Sequence, residues 1–269
     1  MTRITQTFQR LQHDGGKALV PFITAGYPDL RTTEELVIVL EKSGADLIEL
    51  GVPFSDPMAD GPIIQMASEH SLAQGTNLKM ILSLVKKIRI KTAIPIILMG
   101  YYNPFLIYGL RRFTAHAKAA GVDGILTVDL PPEEAGEMKA HAVHAGLDLI
   151  FLLAPTSDDA RIDLIAKNAT GFIYYVSLTG VTGVRSELAY DIETQVKKVK
   201  RRSHLPVGVG FGISTPDHAK MVAKWADAVV VGSAIIRIIE NSNNRKNILR
   251  NVSQFVSSLK KALPSINNN

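Results

Sequence analysis

Eight short runs of β-branched and other apolar residues recur along this chain, with amphipathic stretches between them, and that alternation constrains the fold more than any other feature. The runs are Ala18–Thr24, Asp46–Gly51, Pro95–Tyr101, Gly124–Val128, Leu147–Leu153, Phe172–Ser177, Pro206–Gly210 and Asp227–Val231. Most are continuously apolar, the pattern of parallel strands buried on both faces. Helical patterns lie between them, among them Glu34–Glu41, Phe105–Ala120, Glu134–His144, Arg161–Asn168 and Asn247–Leu263. Gly44, Gly121 and Gly146 end helical patterns as C-terminal caps. Spread over eight units, 269 residues give about 34 each, the size of a strand–helix repeat. Strict alternation predicts a parallel sheet covered by helices. Eight units favour a closed (β/α)8 TIM barrel over an open doubly wound sheet. An extra N-terminal helix, with Ile4, Phe8 and Leu11 on one face, is expected to cap the bottom of the barrel. No low-complexity linker interrupts the chain, so residues 1–269 are expected to form one barrel domain.

Composition narrows the chemistry. There is no cysteine, which excludes disulfide frameworks, thiolate metal sites and a cysteine nucleophile. A hydrophobic fraction of 46% is too high for wholesale disorder. The N-terminal MTRITQTFQRLQHDGG has no apolar core of the secretory kind. No run approaches the roughly 18 apolar residues of a spanning helix. A cytoplasmic protein with no membrane association is expected. The net charge of +5 suits either nucleic acid or a phosphorylated small molecule. The basic runs Lys86–Lys91 and Lys197–Arg202 fall at candidate helix ends, where cations offset the macrodipole. No aromatic residue interleaves them for base stacking, so nucleic acid is not the expected partner. The seven histidines show no metal-ligand spacing.

Two connections are long for strand-to-helix loops, which typically have 2–6 residues. One is Val52–Pro62 after the second run and the other Leu178–Tyr190 after the sixth. In a barrel both sit on the C-terminal face, where active sites are built. Glu49 lies inside the second apolar run, and a buried carboxylate without a partner is costly. It therefore pairs with a core lysine, faces solvent at a helix edge, or carries a raised pKa for a purpose. Asp60 follows on the long loop, and two carboxylates in different surroundings can divide acid and base duties. Glycine-rich GVGFGIS at 208–214 and Gly232-Ser233 follow the seventh and eighth runs, the usual place for a barrel to hold phosphate. The sixth-run loop, with Thr179-Gly180-Val181-Thr182-Gly183, suits a lid. Phe22, Met99, Tyr101, Tyr102, Phe172, Tyr174 and Phe211 at strand ends could line an apolar pocket.

These motifs bear a closer likeness. The segment IELGVPFSDPMADGP at 48–62 resembles the signature of the tryptophan synthase alpha subunit family. PFITAGYPD at 21–29, DLP at 129–131, TGVTG at 179–183, GFGIS at 210–214 and GSAI at 232–235 match it in the same order. The resemblance implies a (β/α)8 barrel that cleaves indole-3-glycerol phosphate to indole and glyceraldehyde 3-phosphate by a retro-aldol reaction. It implies Glu49 as acid and base at carbon 3 and the side-chain hydroxyl, and Asp60 as acceptor for the indole N–H. Thr182 is implied as the lid residue that holds Asp60, and Tyr174 as the pocket tyrosine. Gly183, Gly212, Gly232 and Ser233 are implied around the phosphate, and Phe22, Met99 and Phe211 around the indole. No cofactor is implied in this chain. The implied partner is a tryptophan synthase beta subunit holding pyridoxal phosphate, in an αββα assembly, with Asp56, Asn103 and Pro131 at the contact. Another phosphate-binding barrel would share GFGIS and GSAI but lack the 48–62 signature. A Schiff-base aldolase would need a lysine on a strand, and none of the eight runs has one. A catalytically silent scaffold would not need Glu49 and Asp60.

Overall fold

The computed structural model describes residues 1–176, 186–210 and 212–264, residues 186–191 by their backbone. Eight strands form a closed barrel in chain order. They are β1 (Ala18–Thr24), β2 (Ile48–Gly51), β3 (Ile96–Gly100), β4 (Gly124–Thr127), β5 (Asp148–Leu153), β6 (Ile173–Val176), β7 (Val207–Gly210) and β8 (Ala228–Val231). Every neighbouring pair is parallel, and β1 closes against β8 with Ala18 opposite Ala228 and Pro21 opposite Val231. All eight strands lie within the runs expected from sequence, because continuous apolar runs can be buried on both faces only between a core and a helical layer.

The helical layer is α1 (Arg3–His13), α2 (Leu30–Lys42), α3 (Pro62–Ala73), α4 (Leu78–Arg89), α5 (Tyr102–Tyr108), α6 (Leu110–Ala120), α7 (Gly136–Ala145), α8 (Asp159–Asn168), α9 (Ser186–Ser203), α10 (Pro216–Val222), α11 (Ser233–Glu240) and α12 (Arg245–Ala262). Gly121 and Gly146 take the left-handed conformation at the ends of α6 and α7, where a side chain would be strained. The expected single helix over 105–120 is two helices, because Gly109 turns to φ 89° between them. Phe105 and Phe113 then stack across the break, with ring centroids 4.3 Å apart. The long connection expected over 178–190 is also shorter than read, since α9 starts at Ser186.

Inward-facing residues, including Val20, Leu47, Ile97, Leu126, Ile150, Phe172 and Val230, fill the barrel interior. Ile4, Phe8 and Leu11 of α1 join the same cluster, so α1 closes the bottom as expected. At that end carboxylates are structural. Asp46 accepts the Leu19 N–H at 2.9 Å and the Lys260 ammonium at 2.5 Å. Asp123 accepts the Ile96 N–H at 2.9 Å and holds Arg3 and Arg89. Asp227 accepts the Val207 N–H at 3.0 Å and pairs with Lys17 and Lys200. Each buried or half-buried charge there has its partners, as low-dielectric burial demands.

Candidate active site

The carboxylate at the other end of the barrel breaks that rule. Glu49 is opposite Phe22 of β1 and Ile97 of β3, and strand alternation turns its side chain inward with Leu47. It is fully buried, and neither carboxylate oxygen has a hydrogen-bond partner among the described residues. Among the described residues no lysine pairs with it, and it is shut off from solvent, so neither structural alternative left open by the sequence holds there. Burial pushes its pKa up from the ordinary 4.5 to about 8. At neutral pH it is protonated, a carboxylic acid with a proton to give. Tyr174 of β6 is buried close enough for the Glu49 charge, after burial itself, to hold its phenol well above the usual range. Thr24 of β1 and Thr127 of β4 present two further buried oxygens without a partner among the described residues.

Asp60 reaches the mouth from the loop between β2 and α3. That loop is pinned at its base: the Gln65 amide of α3 donates to the carbonyls of Asp60 at 2.8 Å and Pro57 at 3.3 Å. The Tyr101 hydroxyl, just beyond β3, accepts the Ala59 N–H at 2.9 Å and donates to Asp60 Oδ2 at 3.2 Å. Burial raises the Asp60 pKa to about 6, with the Tyr101 bond opposing the rise. Asp60 is thus mostly ionised at neutral pH while Glu49 is mostly protonated, the separation that lets two carboxylates do different work.

The apolar side of the mouth is made from residues far apart in the chain. Phe22 lies over two glycines: a β-carbon added to Gly51 would meet its ring at 2.6 Å and one added to Gly232 at 3.3 Å. Met99 is half-buried opposite Gly51 on β3. Phe211, which the sequence reading set beside them, lies outside the described residues, as do Thr182 and Gly183 of the loop after β6.

Gly212 turns the chain after β7 at φ 72°, a left-handed conformation that favours glycine. Gly232 is the N-terminal cap of α11 and offers no side-chain acceptor to the first turn. The Ile235 and Ile236 N–H groups bond to the Gly232 carbonyl at 2.8 and 3.2 Å, and the N–H groups of Ser233 and Ala234 ahead of them precede the first helical bond, the kind of donors an anion can take. Ser233, first in α11, is exposed.

The same rim carries exposed apolar side chains. Met58 of the Asp60 loop is 89% exposed and Ile107 of α5 76%, and both point away from any core. Asp56 and Asn103 beside them are exposed, and Pro131 after β4 is half-buried. Neither Met58 and Ile107 nor the Tyr101–Asp60 bond was legible beforehand; Tyr101 read only as pocket lining. Among the described residues no three histidine, aspartate or glutamate side chains converge as a metal site, and no helix is long and apolar enough to cross a membrane.

Comparison with known proteins matches residues 8–264 to the family model described as tryptophan synthase alpha chain. Tryptophan synthase alpha chains of Geotalea daltonii and Geobacter sulfurreducens are 60% and 57% identical, covering 97% and 98% of this chain and 98% and 99% of their own. The crystal structure of tryptophan synthase subunit alpha from Legionella pneumophila str. Paris superposes with a TM-score of 0.92 at 42% identity, over 100% of both chains. A chain of the tryptophan synthase complex from Pyrococcus furiosus superposes with a TM-score of 0.83 at 38% identity, over 91% of this chain and 98% of its own. With the barrel, the 48–62 signature and relatives at this identity agreeing over nearly the whole length, the chain belongs to the tryptophan synthase alpha chain family.

Proposed function

We propose that Glu49 and Asp60 divide the proton chemistry by which this chain, as a member of that family, cleaves indole-3-glycerol phosphate to indole and glyceraldehyde 3-phosphate. The chain is a lyase of tryptophan biosynthesis. Glu49, protonated at neutral pH, gives its proton to carbon 3 of the indole ring. Positive charge develops on the ring nitrogen, and ionised Asp60 accepts the hydrogen bond from the indole N–H. Glu49, now a carboxylate, takes the proton of the hydroxyl on the carbon attached to the ring. The carbon–carbon bond breaks as that oxygen becomes an aldehyde, and its electrons return to the ring nitrogen. The protonated indole is the electron sink, so the chain carries no cofactor. Phe22, Met99 and Phe211 flank the ring, Tyr174 packs beside Glu49, and Thr182 steadies Asp60. The phosphate sits at the N-terminus of α11 on Gly232 and Ser233, with Gly212 and Gly183 nearby.

The chain pairs with a tryptophan synthase beta chain, to which pyridoxal phosphate belongs. We place the contact on the rim at Asp56, Asn103 and Pro131 in an αββα assembly, through which indole passes onward. Residues 1–269 act as one barrel domain, and the cytoplasm is its location. What carries the reading is the fully buried Glu49 carboxyl, which has no hydrogen-bond partner among the described residues. Its test is indole release from indole-3-glycerol phosphate by Glu49→Gln. General acid–base groups contribute about 10²–10⁴-fold, so a variant that folds yet keeps more than a tenth of the parent rate would remove Glu49 from the reaction.

A further inference from the structure

We propose that Tyr101 is a positioning residue for Asp60 and the link through which a partner seated on α5 bears on that carboxylate. The proposal rests on the reading of Asp60 given above. A phenol has one proton, and Tyr101 has only one place to put it. The Ala59 N–H, 2.9 Å away, claims its oxygen as acceptor, so the proton is directed to Asp60 Oδ2 at 3.2 Å. Both contacts come from the loop between β2 and α3, so one hydroxyl fixes that loop and the carboxylate it carries. The ring itself is buried at 3% exposure, with Phe54 of the same loop 5.1 Å away between centroids. The hydroxyl therefore moves only if the backbone at Tyr101 moves.

That backbone leads directly into α5. Tyr102 opens the helix, and its N–H donates to Asp129 Oδ1 at 2.7 Å. Asp129 stands two residues before Pro131 in the loop after β4. Two hydrogen bonds thus join three adjacent rim loops in series, from Asp129 through the start of α5 to Asp60. Each of the three segments also carries a residue expected at the partner contact: Pro131 after β4, Asn103 in the first turn of α5 and Asp56 in the Asp60 loop. The exposed apolar residues Leu106, Ile107 and Met58 lie on the same α5 and Asp60 loop. A partner pressing on α5 shifts Tyr101 and thereby the aim of Asp60.

The bond has a second consequence. Donation to a carboxylate stabilises its ionised form, the form that accepts an indole N–H. Asp60 has no cation among the described residues to do this instead. The other titratable group acting on the Tyr101–Asp60 pair is Asp129, whose negative charge acts on the Tyr101 phenol.

The test uses the full chain, alone and with excess beta subunit, and compares Tyr101→Phe with Asp60→Asn and the parent. Phenylalanine keeps the ring and removes only the hydroxyl. A hydrogen bond to a charged group corresponds to roughly a tenfold to hundredfold effect. We expect kcat/KM of Tyr101→Phe to fall by about that factor and the acid limb of its pH profile to move to higher pH. Its activation ratio by the beta subunit should shrink severalfold while binding of that subunit, followed by titration, is retained. A drop in rate with both the acid limb and the activation ratio unmoved would mean a merely structural role and overturn the proposal. Should Tyr101→Phe fail to fold, 3-fluorotyrosine at position 101 is the second probe. It is a stronger donor of nearly the same size and must move the acid limb to lower pH; an unmoved limb overturns the proposal equally. Asp60→Asn separates the two readings. Near-parent activity there would remove Asp60 itself from the reaction, whereas an inactive Asp60→Asn beside a parent-like Tyr101→Phe would remove only the role of Tyr101.

Discussion

The Tyr174 phenol lies against the backbone of Gly210, so close that a β-carbon added there would sit 2.1 Å from its oxygen and 2.6 Å from the ring carbon that bears it. The two residues belong to paired strands, with Tyr174 opposite Gly208 and Val176 opposite Gly210. Glycine at 210 is therefore what makes room for the tyrosine beside Glu49.

Gly210→Ala tests that relationship. Tyr174 is 6% exposed inside a packed barrel, so its ring has little freedom to yield. Overpacking of this kind costs about 1–3 kcal/mol. We expect a lower unfolding free energy in denaturant and a marked loss of indole release, since the displaced phenol disturbs the surroundings of Glu49. Parent-like stability and turnover together would show that the barrel has slack at this point.

Glu49→Gln carries a second, thermodynamic signature. The Glu49 pKa is raised on folding, from 4.5 to about 8. Between those values the folded chain holds a proton that the unfolded chain has lost. Its contribution to stability is present below pH 4.5 and is lost as pH rises toward 8. Glutamine does not titrate and is free of this loss. The difference in unfolding free energy, variant minus parent, should thus grow between pH 5 and pH 8 in chemical denaturation. Parallel pH profiles for the two proteins would contradict a buried, pKa-shifted Glu49.

Under the proposed division of the proton chemistry, the two carboxylates also set the pH dependence of the reaction. Asp60 must be ionised and Glu49 protonated in the free enzyme, with pKa values of about 6 and about 8. A plot of kcat/KM against pH should rise through an apparent pKa near the first and fall through one near the second. A profile flat from pH 5 to pH 9 would exclude this assignment of protonation states.

Ser233→Asp separates phosphate binding from folding. A carboxylate in the first turn of α11 favours the helix, because it faces the positive end of the macrodipole. It repels a phosphate bound there. We expect unchanged or slightly higher thermal stability and a KM for indole-3-glycerol phosphate raised at least about tenfold, for a loss of about 1.4 kcal/mol in binding. The position is a better probe than Gly212, where φ 72° adds backbone strain to any side chain. An unchanged KM would move the phosphate away from α11.

The strands were legible because burial on two faces requires continuous apolar runs, a property each run states locally. Glu49 was legible for the same reason: a charge inside such a run is an exception that local context exposes. Gly121 and Gly146 announced helix ends because a left-handed cap favours glycine. Gly109 carried the same signal inside the 105–120 pattern, yet the amphipathic spacing on either side of it masked the break.

What the sequence by itself determined is the eightfold alternation, the α1 cap and the place of Glu49 inside an apolar run, since these depend on neighbours along the chain; Asp60 alone reads as a turn residue and stood out only through the resemblance of the 48–62 segment. Only the tertiary structure decided what surrounds them. Phe22 lies over Gly51 and Gly232, Tyr174 over Gly210, and Tyr101 reaches back to Asp60 across 41 positions. Barrel closure brings such residues together, and no local pattern encodes which glycine leaves space for which ring. The chain likewise could not say which carboxylates are charged. Asp123 has Arg3 and Arg89 beside it at the bottom of the barrel, and Glu49 has no partner among the described residues near the mouth. That difference in surroundings, set by the fold, makes one acid a structural anchor and leaves the other buried with a raised pKa, which is what supports its proposed role as proton donor.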